Sequence, residues 1–96
     1  MFVASSEDIE AGIGAGFERA ESFGLAAAPQ PTVIQQVREV TEREPDIGPE
    51  TARYFTEVIT VASLGRQARN APPLEGDDIR LSFSFFRWLL DGLVER

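Results

Sequence analysis

The sequence predicts an all-α fold, a single-domain four-helix bundle whose C-terminal helix is the most buried. Three observations lead there. Apolar residues recur at helical spacing in four separate stretches, at about 6–25, 33–44, 49–69 and 78–95. Each stretch opens on a residue suited to a helix N-terminus. The connections are short and hold Pro29, Pro31, Pro45, Pro72 and Pro73, none of which can continue a helix interior. Ninety-six residues fit one domain with one core.

In the first stretch Ser5 or Ser6 can cap the helix, and Glu7 and Asp8 complement the positive end of its dipole. Ile9, Ile13 and Phe17 form an apolar line. Beside it Gly12, Gly16, Ala20 and Gly24 recur every four residues. A row without bulk lets another helix approach closely, from the same chain or from a second copy in a homodimer. Each glycine costs up to about 1 kcal/mol of helix propensity, so this helix depends on its neighbours. Gly24 is also the expected C-cap. The connector 26–31 is stiffened by its two prolines.

In the second stretch Thr32 and Gln35 have capping-box spacing. Val33, Val37 and Val40, with Ile34 beside them, make an apolar stripe. Arg38, Glu39, Glu42 and Arg43 face water, and Pro45 ends the helix. The third stretch opens on Gly48 and Pro49, an N-cap followed by proline at the first helical position. Phe55, Val58, Ile59 and Ala62 form its inward face, and Arg53 and Glu57 an outward i, i+4 ion pair. The run 58–61 is β-branched, as a strand would be. The polar residues Glu50, Arg53, Glu57, Thr60 and Gln67 nevertheless keep a helical period, broken only at Leu64, and favour a helix.

The fourth stretch takes Asp77 or Asp78 as its cap. Arg80, Ser84, Arg87, Asp91 and Glu95 fall on one narrow line, and Ile79, Leu81, Phe83, Phe85, Phe86, Trp88, Leu89, Leu90, Leu93 and Val94 surround it. A helix apolar around most of its girth is buried on several sides, or offers a second face to a partner. Phe85, Phe86 and Trp88 are accordingly either core or an interface anchor. Residues 79–85 alternate as a strand does, but no second strand is available to pair with them, so a helix is expected here too.

Composition excludes more than it selects. The chain has no His, Cys or Lys, the side chains behind most acid–base, nucleophilic and metal chemistry near neutral pH. It is expected to be no enzyme and to hold no cofactor or metal. Gly12 to Gly16 reads G-x-G-x-G with no lysine after it, so it is no phosphate loop. The pairs Glu7/Glu10, Glu18/Glu21 and Asp77/Asp78 sit on exposed faces and caps. Net charge is −7, and residues 1–50 hold ten acids against three Arg while residues 51–96 hold six of each, so the excess lies wholly in the first half. That half repels phosphate backbones, which argues against direct nucleic-acid binding, and it suits a protein partner with a basic surface. No stretch approaches the roughly 18 apolar residues of a membrane span, and the N-terminus lacks the pattern of a signal peptide. A cytoplasmic protein is expected.

The second and third stretches outline a helix–turn–helix, but the second of its helices starts Pro49-Glu50-Thr51-Ala52-Arg53, a poor reader of a DNA groove. Residues 37–80 resemble the helical lid domain of MoxR-type AAA+ ATPases. The resemblance is carried by the run from Val37 to Ile47, by Gly48 to Arg53, by the long helix ending near Leu64-Gly65-Arg66, and by Glu75 to Arg80. It implies that Arg53 stands where that family senses nucleotide, although the family's usual Ser-Pro-Arg here reads Thr51-Ala52-Arg53. A lid without a P-loop and an Mg²⁺-binding acidic motif implies an accessory domain that does not hydrolyse ATP.

The function expected from the sequence is a small acidic protein–protein interaction domain. In one form it is an inhibitor or adaptor on a basic or nucleic-acid-binding partner, as a nucleic-acid mimic or a phage-encoded antagonist. The alternatives are a lid-like accessory domain of an AAA+ ATPase and a helix–turn–helix regulator. The residues expected to meet the partner are Glu39, Glu42, Glu44, Asp46 and Arg53, and the expected packing or dimer stripe is Gly12, Gly16, Ala20 and Gly24.

Overall fold

Four helices carry the secondary structure: α1 (Ser6–Ser22), α2 (Pro31–Glu42), α3 (Pro49–Ala68) and α4 (Gly76–Val94). The structure, a computed structural model, describes residues 6–25, 31–43 and 48–94. Ser5, Pro45 and most of the connector 26–31 lie outside the described residues. Both strand-like runs, 58–61 and 79–85, are helical, and no strand occurs among the described residues. Neither run could pair, so each satisfies its backbone within a helix.

The ends of the helices follow capping chemistry. After α1, Gly24 takes a left-handed φ of 82°. Its amide donates to Glu21 O, and the Leu25 amide donates to Ala20 O at 2.9 Å, which is a Schellman motif. The same motif closes α3 around Asn70, at φ 54°, with the Ala71 amide donating to Arg66 O at 2.9 Å. Two expected caps are corrected. Pro31 opens α2 at its first helical position, so Thr32 lies inside the helix rather than capping it. At α4 the cap position belongs to Glu75, whose amide donates to Asp78 Oδ2 at 3.2 Å, the returning half of a capping box.

Helix α3 lies between the others, and its two buried faces differ in kind. Ala52, Phe55 and Ile59 join Val33, Val37 and Val40 of α2 and Ile79 and Phe83 of α4 in one apolar core. Phe55 meets Phe83 edge-on, with ring centroids 4.8 Å apart. The other face carries Thr56 and Thr60, both fully buried, and it receives α1. Their hydroxyls donate to Ala52 O at 2.9 Å and to Thr56 O at 2.7 Å, so burial leaves no donor unpaired.

The α1–α3 contact is closest at Gly12 and Gly16. A Cβ on Gly12 would overlap Thr56 Oγ1 and the Arg53 carbonyl oxygen, and one on Gly16 would lie 2.6 Å from Thr60 Cβ and 2.9 Å from Glu57 O. Four residues along α1 match four along α3 in the same direction, so the two helices run parallel. Ion pairs flank this seam: Arg53 Nη2 lies 3.8 Å from Asp8 Oδ1, and Arg19 Nε lies 3.4 Å from Glu57 Oε1. Arg53 and Glu57 therefore pair across to α1, rather than with each other as the spacing suggested.

As far as Leu89, burial does not bear out the expectation that the C-terminal helix is the most buried, and side chains 90–94 lie outside the described ones. Among the described residues α3 buries seven side chains, whereas α4 buries Ile79 and Phe83 and leaves Leu81, Phe85, Trp88 and Leu89 exposed. The reason is position: α3 is packed on two sides, while α4 rests against α2 and α3 from one. The inward face expected of α3 also shifts, since Phe55 and Ile59 are buried but Val58 and Ala62 are exposed, and Thr60 turns inward instead of facing water.

Candidate functional site

Helix periodicity gives α4 two apolar faces. Ile79, Phe83 and Phe86 stand at i, i+4 and i+7 and face the core. Leu81, Phe85 and Trp88 repeat the same spacing two residues later, which rotates them roughly 200° around the axis. They are 70%, 59% and 67% exposed, and Leu89 beside them is 44% exposed. The alternation that read as a strand over 79–85 is this pair of faces seen in sequence.

The outer face is ordered within itself. Phe85 and Trp88 stack with centroids 5.8 Å apart and planes inclined by 27°. Polar side chains along its edges bond locally: Arg80 Nη1 donates to Asp77 Oδ1 at 3.2 Å, and Ser82 and Ser84 donate to the carbonyls of Asp78 and Arg80. Half-buried Phe86 lies against Tyr54 of α3, with centroids 5.5 Å apart. Tyr54, Val58, Val61 and Ala62 then line an open groove of about 350 Å³ that ends at the Arg19–Glu57 pair. Apolar surface thus runs from α4 onto the outer side of α3.

The other expected site residues are scattered. Glu39 is exposed and accepts a hydrogen bond from Gln35 Nε2 at 3.2 Å, and Glu42 is exposed. Arg53 is held at Asp8. Glu44 and Asp46 lie outside the described residues. Gly12, Gly16 and Ala20 are buried in the seam with α3, so the small-residue row is already occupied by this chain. Gly24 is exposed, has nothing within 4 Å of a built Cβ, and acts as a cap alone.

No group of three or more carboxylates converges to hold a metal among the described residues. The small, partly open pocket beside Val33, Ser63 and Gln67, about 20 Å³, holds about one water's worth of space. No helix among the described residues is long and apolar enough to cross a membrane. Of the aromatics Phe85, Phe86 and Trp88, read from the sequence as either core or anchor, Phe86 packs against the core while Phe85 and Trp88 are exposed, and Leu81 joins them on a face that the sequence reading does not pick out. The signal was present in the i, i+4, i+7 spacing of 81, 85 and 88. Compared with protein-family models, curated proteins and solved structures, the chain matches none of them.

Proposed function

We propose that the chain is a non-enzymatic protein–protein interaction domain, a small helical bundle that docks through the outer face of α4. One observation carries this reading. Leu81, Phe85 and Trp88, each more than half exposed, share one line of a helix whose opposite side already completes the core. Large apolar side chains grouped on a surface mark interaction sites, and aromatics dominate the energy of such sites. The face is built on a helix fixed by Ile79 and Phe83, so a partner meets a preformed surface.

The test is photo-cross-linking in source cells, with a benzophenone side chain at position 85 and, as control, at exposed position 14. A covalent protein adduct from position 85 alone is expected. Equal adducts from both positions, or none from either, would overturn the reading.

A second reading rests on charge. Glu7, Glu10, Glu18 and Glu21 on α1 and Glu39 and Glu42 on α2 are all exposed. These surfaces suit a basic partner of the inhibitor or adaptor kind. Such binding would be released by salt and weakened by reversing Glu39, Glu42 and Glu44. Capture of an ATPase core only with nucleotide, lost on Arg53→Ala, would instead assign a lid-like role.

A further inference from the structure

We infer that the pocket beside Gln67 binds one water, held by Gln67 Oε1 and Ser63 Oγ under the loop that joins α3 to α4. The site lies in the chain's own framework and stands whether or not α4 docks on a partner.

An unpaired acceptor is the first support. Gln67 lies in the last turn of α3, and its Oε1 is buried with no hydrogen-bond partner. Buried polar atoms in native proteins are bonded as a rule, to protein or to ordered water. The donors around this pocket are already committed. The Ser63 hydroxyl donates to Ile59 O at 2.8 Å, Arg66 Nε donates to Pro72 O at 2.7 Å, and the Ala71 amide donates to Arg66 O at 2.9 Å. Pro73 has no N–H to give.

Size and bonding capacity select the occupant. The pocket measures about 20 Å³, and a water needs about 10–15 Å³, which leaves no room for a larger guest. Ser63 and Gln67 stand one turn apart on the same face of α3 and both line it. With its proton given to Ile59, the Ser63 oxygen is an acceptor here, as is Gln67 Oε1. A molecule that satisfies both must be small and carry two donor hydrogens, as water does. An ammonium ion has the size, but the Arg66 guanidinium on the same wall repels it. Water also accepts a bond, and Arg66 has amino groups to offer, since only its Nε is taken by Pro72. Three bonds is the usual number for a buried water.

The location gives this water a task. Val33 of α2 walls the pocket on one side, and Ala71 and Pro73 of the loop wall it on another. The loop is tied back to α3 through Arg66, whose carbonyl accepts from Ala71 and whose Nε donates to Pro72. A water fixed by Gln67 and Ser63 and bonded to Arg66 holds the guanidinium where Pro72 needs it. Gln67 is thereby a positioning residue for the loop from which α4 starts at Gly76.

The experiment is a crystal structure of the full chain at a resolution that shows ordered water, with Q67M determined beside it. Methionine keeps the length of the side chain and removes its acceptor, and at this half-buried position the variant should retain wild-type helicity. In the wild type a water is expected within about 2.5–3.0 Å of both Gln67 Oε1 and Ser63 Oγ. In Q67M the water should be gone and the Arg66–Pro72 bond lengthened or lost. A dry wild-type pocket, or a Gln67 Oε1 bonded to a protein donor, overturns the site, and this arm decides even if the variant does not crystallise. A water equally ordered in Q67M overturns the part given to Gln67. An Arg66–Pro72 bond unchanged after the water has gone overturns its task in the loop.

Discussion

Adding one methyl group to α1 should have opposite effects at two positions two residues apart. Gly12 and Gly14 lie in the same helix, and alanine there gains up to about 1 kcal/mol of helix propensity. At Gly14 a Cβ meets nothing within 4 Å, so Gly14→Ala should stabilise by about 0.5–1 kcal/mol. At Gly12 the same Cβ overlaps Thr56 Oγ1 and the Arg53 carbonyl oxygen, and it lies 2.9 Å from Thr56 Cβ. Thr56 cannot simply turn away, because its hydroxyl donates to Ala52 O and Arg53 O at 2.9 and 3.0 Å, and the Arg53 oxygen belongs to the α3 backbone.

Relief at Gly12 therefore requires α1 and α3 to separate. Overpacking of this kind costs about 1–3 kcal/mol, and a backbone clash belongs at the upper end. Net of propensity, Gly12→Ala should destabilise by about 1–2 kcal/mol. The two variants should differ by roughly 1.5–3 kcal/mol, or about 6–24 °C in Tm for a domain of this size. Urea and thermal unfolding followed by circular dichroism measure both. Gly12→Ala combined with Thr56→Ala should recover only part of the loss, since the Arg53 oxygen remains. Were Gly12→Ala as stable as Gly14→Ala, propensity alone would govern α1 and its close approach to α3 would be wrong.

Phe55→Ala removes a ring that is 2% exposed and contacts both Phe83 and Phe86, and should cost about 3–5 kcal/mol, enough to unfold much of a domain this small; a urea midpoint checks it. Gly24→Ala places a side chain at φ 82° and should cost about 1 kcal/mol although the site is open, which separates backbone strain from crowding in the same assay. Arg38→Ala breaks an ion pair with Glu10 whose two side chains are 37% and 53% exposed, so the loss should stay below about 1 kcal/mol and shrink further in high salt.

The helices were legible because their signals are local. Val33, Val37 and Val40 sit three and four residues apart and are all buried, and the Gly48–Pro49 start falls where the sequence placed it. Ends that depend on which residue donates to which were less legible, as at Glu75, where the cap works through Asp78 three residues on. The faces of α3 were misread for a chemical reason. Thr56, Thr60 and Ser63 look polar in sequence, yet each hydroxyl is satisfied by a carbonyl of its own helix and can be buried at little cost. Within the glycine row, Gly12 and Gly16 lie where α1 comes closest to α3. The row's partner could not be read, because spacing along one helix says nothing about which other helix fills it. Gly24 kept the spacing of that row by coincidence with its capping role.

The same limit explains why α4 seemed the most buried element. Counting apolar residues on a helix measures how much surface it could bury, while its neighbours decide how much it does. Among the described side chains of α4, those packed against α2 and α3 are Ile79, Phe83 and Phe86, and α1 is committed to α3. Leu81, Phe85 and Trp88 are thus large apolar side chains that the monomer's core is complete without. Replacing exposed side chains of this sort usually changes monomer stability by less than about 0.5 kcal/mol, so folding gives no reason for their presence, and their exposure works against solubility. That cost is why the docking proposed above is placed on the outer face of α4 rather than on the more numerous carboxylates.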